Sequence, residues 1–336
     1  MNKLGILIGF GIIGFATSNA NALIIDVNRC SADTQSARLG PVSSLNVNSL
    51  GISSVSGGLK CGGGIFSLLV NQFIKYDAVN IPNFLTHTDG VNRAKITIFD
   101  VDRNVVTSNI SRDISRIDLL GLFSGPNENV PFYVRVDETT GLKPGTYRAS
   151  YTMRWYYHIV HTGVWTSGTG SKSNGIELNF LGTGVNSWGT GVPSTINIEL
   201  IVEKDCKINA QNINFGTAPL VSKFNPVTGT VQITCSAQTP YTVGLSNGQN
   251  YSQNRRMKNL SSNHYLPYEI YKNTTTQRWG YLGAERWSSA NASQNPGVYD
   301  GSVTQGYAYT AKIIDDGSNA SVEGTYKDNL ILEVAF

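Results

Sequence analysis

Charge is scarce in this chain. Only 15% of its residues are charged, and no basic run occurs. A net charge of +3 spread over 336 residues leaves no electrostatic footprint for nucleic acid or an anionic membrane. Histidine is equally sparse. The four residues His87, His158, His161 and His264 sit outside any His-Glu-x-x-His context, and neither Gly-x-Ser-x-Gly nor a phosphate loop occurs. His158 and His161, three apart around a strand, are expected on opposite faces. The carboxylates are scattered, and Asp315-Asp316 reads as a solvated turn. Catalysis, a cofactor and a bound metal, calcium included, are therefore not expected. Long 3.6-residue periodicity is missing too, which removes a helical fold.

What the chain has is glycine, 35 residues of it, frequent β-branched side chains and runs alternating apolar with polar. The composition predicts an all-β protein with long loops. In the first half the alternation predicts strands at Lys95–Val101, Phe132–Asp137, Tyr147–Ile159 and Thr195–Val202. In the second half it predicts Ile208–Phe215, Thr230–Cys235, Thr242–Leu245, Tyr268–Tyr271, Tyr307–Ile314 and Lys327–Phe336. The apolar runs between Leu39 and Phe84 have no legible register.

The amino terminus reads as a secretory signal: Lys3, an apolar run from Leu4 to Phe15, then Ala20-Asn21-Ala22 as a cleavage site. The run is too short to span a membrane. Residues 1–22 are expected to be removed on export. In an oxidising compartment four cysteines suggest two disulfides. Cys30 and Cys61 are 31 positions apart, Cys206 and Cys235 29 apart, one pair in each half. That spacing predicts the pairs Cys30–Cys61 and Cys206–Cys235. It is too wide, and too poor in neighbouring histidine, for zinc.

A second duplication is Gly145-Thr146-Tyr147 against Gly324-Thr325-Tyr326. Aligning these sets Tyr151, Met153, Trp155 and Tyr157 against Leu330, Leu332, Val334 and Phe336. The first copy is followed by a further alternating run, Ile196, Ile198, Leu200 and Val202; the second is not. Two domains are expected, 23–202 and 206–336, joined by the charged linker 203–205. The second should lack a final strand. Four or five absent apolar side chains, at about 1.5–3 kcal/mol each, rival the whole stability of a domain, about 5–15 kcal/mol. A strand from another chain is expected to fill the gap. Leu330, Leu332, Val334 and Phe336 would line that interface, with the terminal carboxylate as a handle for a cation.

Several second-half motifs, in order, resemble the spore coat protein U domain. They are Cys206-Lys-Ile-Asn-Ala, Ile213-Asn-Phe215-Gly216, Gly229 to Cys235, Thr239-Pro240-Tyr241, Arg255-Arg256-Met257, Leu266 to Tyr271, Trp279-Gly280 and Gly324-Thr325-Tyr326. The first half shares Cys30, Cys61, Lys95 to Asp100 and Pro144 to Tyr147 but lacks the Asn-Phe-Gly and Arg-Arg-Met elements. A divergent domain followed by one such domain is similar to the two-domain tip adhesin of archaic (Csu-type) chaperone–usher pili. The resemblance implies two immunoglobulin-like, pilin-type β-sandwiches in tandem, the second incomplete. It also implies export through the periplasm to a pilus tip on the cell surface. The implied partners are a periplasmic chaperone, an outer-membrane usher and a next subunit that donates a β-strand. Leu23 to Val27 is short for a donor strand of its own, so a position at the fibre end is expected.

Strand directions place three loops at the pole of the first domain far from the linker. They carry Ile65 and Phe66; Leu119, Leu120, Leu122 and Phe123; and Val164, Trp165, Leu181, Val185 and Trp188. Large apolar residues on loops suggest a contact surface for apolar or host surfaces, and so a role in adhesion and biofilm formation. A carbohydrate-binding tip using Trp165, Trp188, Asn174 and Asn186 is the alternative, as is a structural spore or cell coat protein.

Overall fold

The computed structural model describes residues 30–336 apart from 62–65, 69–70, 117–121, 139, 165–166, 316 and 318–321; for residues 66–68, 162–164 and 167–169 it describes the backbone. The signal peptide, the candidate donor Leu23 to Val27, and Ile65, Leu119, Leu120 and Trp165 lie outside the described residues. Most of the alternating sequence becomes strand, and the described helical turns are short 3-10 turns of three or four residues.

Among the described residues, fourteen strands precede the linker. They are β1 (Cys30–Ala32), β2 (Gln35–Ser43), β3 (Ile52–Cys61), β4 (Phe66–Leu68), β5 (Phe73–Val79), β6 (Phe84–His87) and β7 (Arg93–Phe99), then β8 (Ser111–Asp113), β9 (Asn129–Val136), β10 (Gly145–Val164), β11 (Ser167–Lys172), β12 (Glu177–Leu178), β13 (Val185–Ser187) and β14 (Val192–Glu203). Their main path is β1-β3-β9-β7-β6-β10-β14-β2, with β4, β5 and β11 also on β10. The path folds over on itself. Phe132 on β9 packs edge-on against Tyr76 of β5 and Trp155 of β10. Every second residue of β14, from Ser194 through Ile196, Ile198 and Leu200 to Val202, is buried. At about 3.3 Å per residue, the 20 residues of β10 run roughly 60 Å. That length carries the chain from the linker end, where Gly145 faces Val202, to the opposite pole.

Nine strands follow: β15 (Cys206–Asn209), β16 (Val227–Cys235), β17 (Thr242–Leu245), β18 (Arg255–Asn259), β19 (Tyr265–Lys272), β20 (Trp287–Ser288), β21 (Gln305–Ile313), β22 (Tyr326–Lys327) and β23 (Leu332–Ala335). They form the sheets β15-β16-β21-β19-β18-β22 and β20-β17-β23 over a second core. Trp279 packs edge-on against Trp287 and stacks on Tyr307 there. The two cores touch across the linker. Ser44 Oγ meets Ser236 Oγ at 2.5 Å, both buried, and the side-chain amides of Asn92 and Gln238 exchange hydrogen bonds. Cys30–Cys61 and Cys206–Cys235 are bonded, each across an antiparallel strand pair.

Two expected strands are corrected. The run expected over Ile208–Phe215 is ladder-paired only as far as Asn209, because no neighbouring strand lies beside Ala210 to Phe215 among the described residues. The run expected over Lys327–Phe336 is broken between β22 and β23. Asp328 causes the break: its carboxylate accepts from the Tyr268 hydroxyl at 2.7 Å and from the Gln249 amide at 2.9 Å. The loop expected to carry Val164, Leu181, Val185 and Trp188 instead holds the end of β10, all of β11 and the hairpin β12–β13.

Candidate functional site

Two regions carry exposed or unpartnered apolar surface. The first is a groove of about 600 Å³ in the second domain. One bank is the extended segment Ala210 to Phe215 and the other runs from Tyr326 to Leu332. Its floor comes from both sheets and includes Met257, Tyr268, Ile270 and Trp279. Alternation at the end of the chain turns Leu330, Leu332 and Val334 toward the core, where each stays half-buried. Phe336 stands apart. It is 48% exposed, its ring meets Tyr241, and Lys204 Nζ lies 5.2 Å over it.

β23 pairs with β17 on one edge and with no described residue on the other. In the first domain β10 has β5 and β6 on one side and β14 on the other. By the Gly-Thr-Tyr correspondence the groove lies where β14 stands in the first domain, and no described residue pairs with β23 there.

A buried ion cluster, unmarked in the sequence, lies next to the groove residues Leu245, Tyr268, Ile270 and Trp279. Arg255 is fully buried, pairs with Glu269, and donates from Nη2 to the carbonyls of Leu245 and Trp279, both at 2.8 Å. Arg278 Nε donates to the second oxygen of Glu269 at 2.8 Å. Burial pulls the Arg255 guanidinium down, and Glu269 opposes that shift. A buried cation so placed is satisfied on every side, and removing Glu269 would strand it. Burial above all, then its bond to Asp328, raises Tyr268 well above the ordinary phenol range.

The second region is the far end of β10. The Gln72 side chain is buried and brackets Val160, accepting from its N–H at 2.8 Å and donating to its carbonyl at 3.2 Å. Its backbone bridges to Arg116. That arrangement ties Arg116, through Gln72, to Val160 on the strand whose Thr162 to Val164 pair in parallel with β4. Phe66 pairs with Thr162 and Val164 with Leu68, so Phe66 and Val164 sit two positions apart on neighbouring strands.

Leu122 is corrected. It is fully buried in the first core, which leaves it no surface to offer a partner. Phe123 packs against the same core and is half-buried. Trp188 lies edge-on to Tyr156, with Lys75 Nζ 5.2 Å from its ring, and Val185 is half-buried in the hairpin. Leu181 is 65% exposed, and its neighbour Phe180, unremarked in the sequence, is entirely exposed. Gly182 N donates to Asn179 O at 2.9 Å, closing a turn that turns Phe180 and Leu181 outward. An apolar pair flanked by Asn179 and Gly182 was the available signal.

The family model described as the Spore Coat Protein U domain matches residues 192–333. Over 91% of its length the chain is 34% identical to, and covers 100% of, a chain in the chaperone–tip adhesion subunit pre-assembly complex CsuC–CsuE from archaic chaperone–usher Csu pili of Acinetobacter baumannii, with a TM-score of 0.70. The CupB6 tip adhesin from Pseudomonas aeruginosa is 12% identical, with 84% of this chain and 86% of that one covered, at a TM-score of 0.31. The CFA/I adhesin CfaE of enterotoxigenic E. coli is 8% identical, with 90% and 92% covered, at 0.30. No curated protein matches the chain.

Proposed function

The chain belongs to the tip-adhesin family of archaic chaperone–usher pili, and on that premise we propose that it attaches cells to surfaces through apolar residues at the far pole of its first domain, while the groove of its second domain receives a β-strand from the neighbouring subunit. As a family member it partners a periplasmic chaperone and is carried to the pilus tip on the cell surface. In this reading residues 23–202 are the adhesive domain, 203–205 the linker and 206–336 the pilin domain.

The unpaired outer edge of β23 carries the assembly half of this reading. Beside that edge lies a groove walled by apolar side chains on both banks. An open sheet edge over an exposed core invites strand addition. A partner strand would bury Leu330 and Leu332, with Val334 at the end of the same edge. Phe336, standing on Tyr241 beside Lys204, would act near the linker instead.

The adhesive half rests on Phe180 and Leu181, held outward by a closed turn, with Val185 and Trp188 behind them. The candidates Phe66 and Val164 share one adjacent strand pair. Hydrophobic contact needs no defined ligand, so apolar abiotic surfaces and biofilm formation fall within its reach. Cells bearing these pili should be released from polystyrene by a mild nonionic detergent and unaffected by simple sugars. Release by a sugar and resistance to detergent would overturn the hydrophobic mode. Purification of the uncomplexed full chain as a stable monomer, with the groove closed by its own backbone, would overturn the assembly half.

A further inference from the structure

The two domains meet at a joint of small and polar groups. The chain crosses it once, from Glu203 at the end of β14 to Cys206 at the start of β15. Glu203 is tied to the first domain, its carbonyl accepting from Ser44 N at 3.1 Å. Asp205 is tied to the second. Its N–H donates to Ser236 Oγ at 2.7 Å, and its carbonyl accepts from Ser236 N at 3.0 Å. Among the described residues, Lys204 between them makes no main-chain hydrogen bond.

Three contacts from separate segments brace this crossing. Beside the linker, Ser44 Oγ meets Ser236 Oγ, and Ser43 Oγ donates to the Asp205 carboxylate, both at 2.5 Å. Gly141 lies against Gly301, where a Cβ would stand 3.0 Å from the Gly141 Cα. Asn92 and Gln238 exchange amide hydrogen bonds at 3.2 and 2.7 Å. Both side chains of this last pair are aimed in advance. The Asp89 carboxylate accepts from the main-chain and side-chain amides of Asn92. Gln238 sits in the left-handed region, at φ +51°, with its N–H donating to Tyr299 O at 2.9 Å. A residue other than glycine stays in that region only where its surroundings hold it.

While these contacts hold, the joint has no free rotation. Yet none of them buries a large apolar side chain, and neither hydrophobic core takes a residue from the other domain. Polar interdomain surfaces separate readily, because water replaces each hydrogen bond that is lost. Opening would expose no core and unfold neither domain. We propose that the joint is a latch: closed at rest, it opens as a unit when the fibre is pulled, leaving Lys204 as the hinge. The proposal rests on the reading that the far pole of the first domain grips a surface. A closed joint passes bending torque from the fibre to that contact and peels it from one side. An opened joint passes tension alone, which loads the contact residues together. Closing needs no refolding, so the latch resets when the load ends.

The latch is tested by holding it open and by locking it, in the full chain. Asn92→Asp with Gln238→Glu gathers three carboxylates, with Asp89, and should hold the joint open. Dyes are placed on Leu181→Cys and Leu260→Cys, both exposed and one in each domain. In the chaperone-bound chain, energy transfer between them should report one distance in the parent and a broad spread in the opened variant, with both urea transitions in place. A single distance in both overturns the assignment of the joint to these contacts. Ser44→Cys with Ser236→Cys puts two sulfurs where the hydroxyl oxygens now meet, within reach of a disulfide. A peptide map should show that bond after export, and its absence would overturn the closed joint. Piliated cells carrying the locked chain should attach to polystyrene in still medium as the parent does, and be lost severalfold faster under flow. Equal or longer retention under flow overturns the latch and leaves the adhesive reading standing. Failure of the parent tip to attach even in still medium overturns the adhesive reading, and the latch with it.

Discussion

Tyr147 and Tyr326 make the same hydrogen bond: each phenol donates to the carbonyl four residues upstream, to Lys143 at 2.7 Å and to Val322 at 2.9 Å. Two residues before each lies a glycine that must be glycine. Besides their positive φ, a Cβ on Gly145 would stand 2.2 Å from His87, and one on Gly324 2.6 Å from Asn259. The local corner is thus duplicated, though it abuts a histidine in one domain and an asparagine in the other. The surroundings differ. Tyr147 enters a strand flanked on both sides, by β6 and β14, and Tyr326 one flanked among the described residues by β18 alone. The same corner serves a closed sandwich in one domain and an open one in the other.

Tyr326→Phe removes one donor and leaves the Val322 carbonyl without that partner. The second domain should lose about 0.5–1.5 kcal/mol, and Tyr147→Phe should cost the first domain a similar amount. Urea unfolding of the full chain held in complex with its chaperone tests this. Each substitution should shift its own transition and leave the other in place.

The disulfide Cys206–Cys235 closes a loop of 29 positions at the root of the open domain. Replacing both cysteines with alanine should cost on the order of 3–4 kcal/mol, on the view that the bond restricts the unfolded chain. The domain is already short of a strand, so the loss should appear as failure to accumulate in the periplasm. The matching change at Cys30 and Cys61 should lower the first transition and leave soluble protein. Recovered yield and the urea midpoint are the measurements.

Strands with one buried face were legible because alternation is enough to orient them, as with Tyr147 to Ile159, where the inward residues Tyr147, Tyr151, Met153, Trp155, Tyr157 and Ile159 are buried. The groove could be read from the missing counterpart of β14. Other features depend on tertiary partners and had no periodic signal. Ala210 to Phe215 looks like strand in sequence and has no ladder partner. Asp328 breaks the last strand only because Tyr268 stands opposite. Leu122 belongs to an apolar run in which no period separates the buried residue from its neighbours. The Arg255, Glu269 and Arg278 cluster unites charges from three separate segments, which a scan along the chain reads as solvated.

His158 should make the first domain acid-sensitive. Burial, then the charge of Lys172, pulls its pKa below the ordinary 6.5, and its Nδ1 has no hydrogen-bond partner among the described residues. An unfolded chain takes up a proton at pH 6.5 that the folded one refuses. The stability at stake is therefore fully present above pH 6.5 and lost as pH falls from there toward the folded value. His158→Phe should flatten this part of the profile. The urea midpoint of the first transition, compared between parent and variant from pH 7.5 to 5.5, measures it; parallel profiles would show that His158 is not responsible.

Leu122 and the pair Phe180–Leu181 separate stability from adhesion. Leu122 is fully buried, so Leu122→Ala should cost about 2–5 kcal/mol. Any loss of adhesion should then track the loss of folded protein. Phe180 and Leu181 contribute nothing comparable to the core, being 101% and 65% exposed, and their turn is closed by backbone atoms. Phe180→Ser with Leu181→Ser should leave stability within about 0.5 kcal/mol of the parent and piliation unchanged. Adhesion should nevertheless fall. Each apolar side chain buried on a surface contributes about 1.5–3 kcal/mol, and many tips per cell multiply a loss at each one. Retention of cells on polystyrene under flow, with pilus number counted in parallel, is the measurement. Equal retention by the serine variant at equal piliation would remove the hairpin from the contact surface and leave the strand pair of Phe66 and Val164 as the place to look.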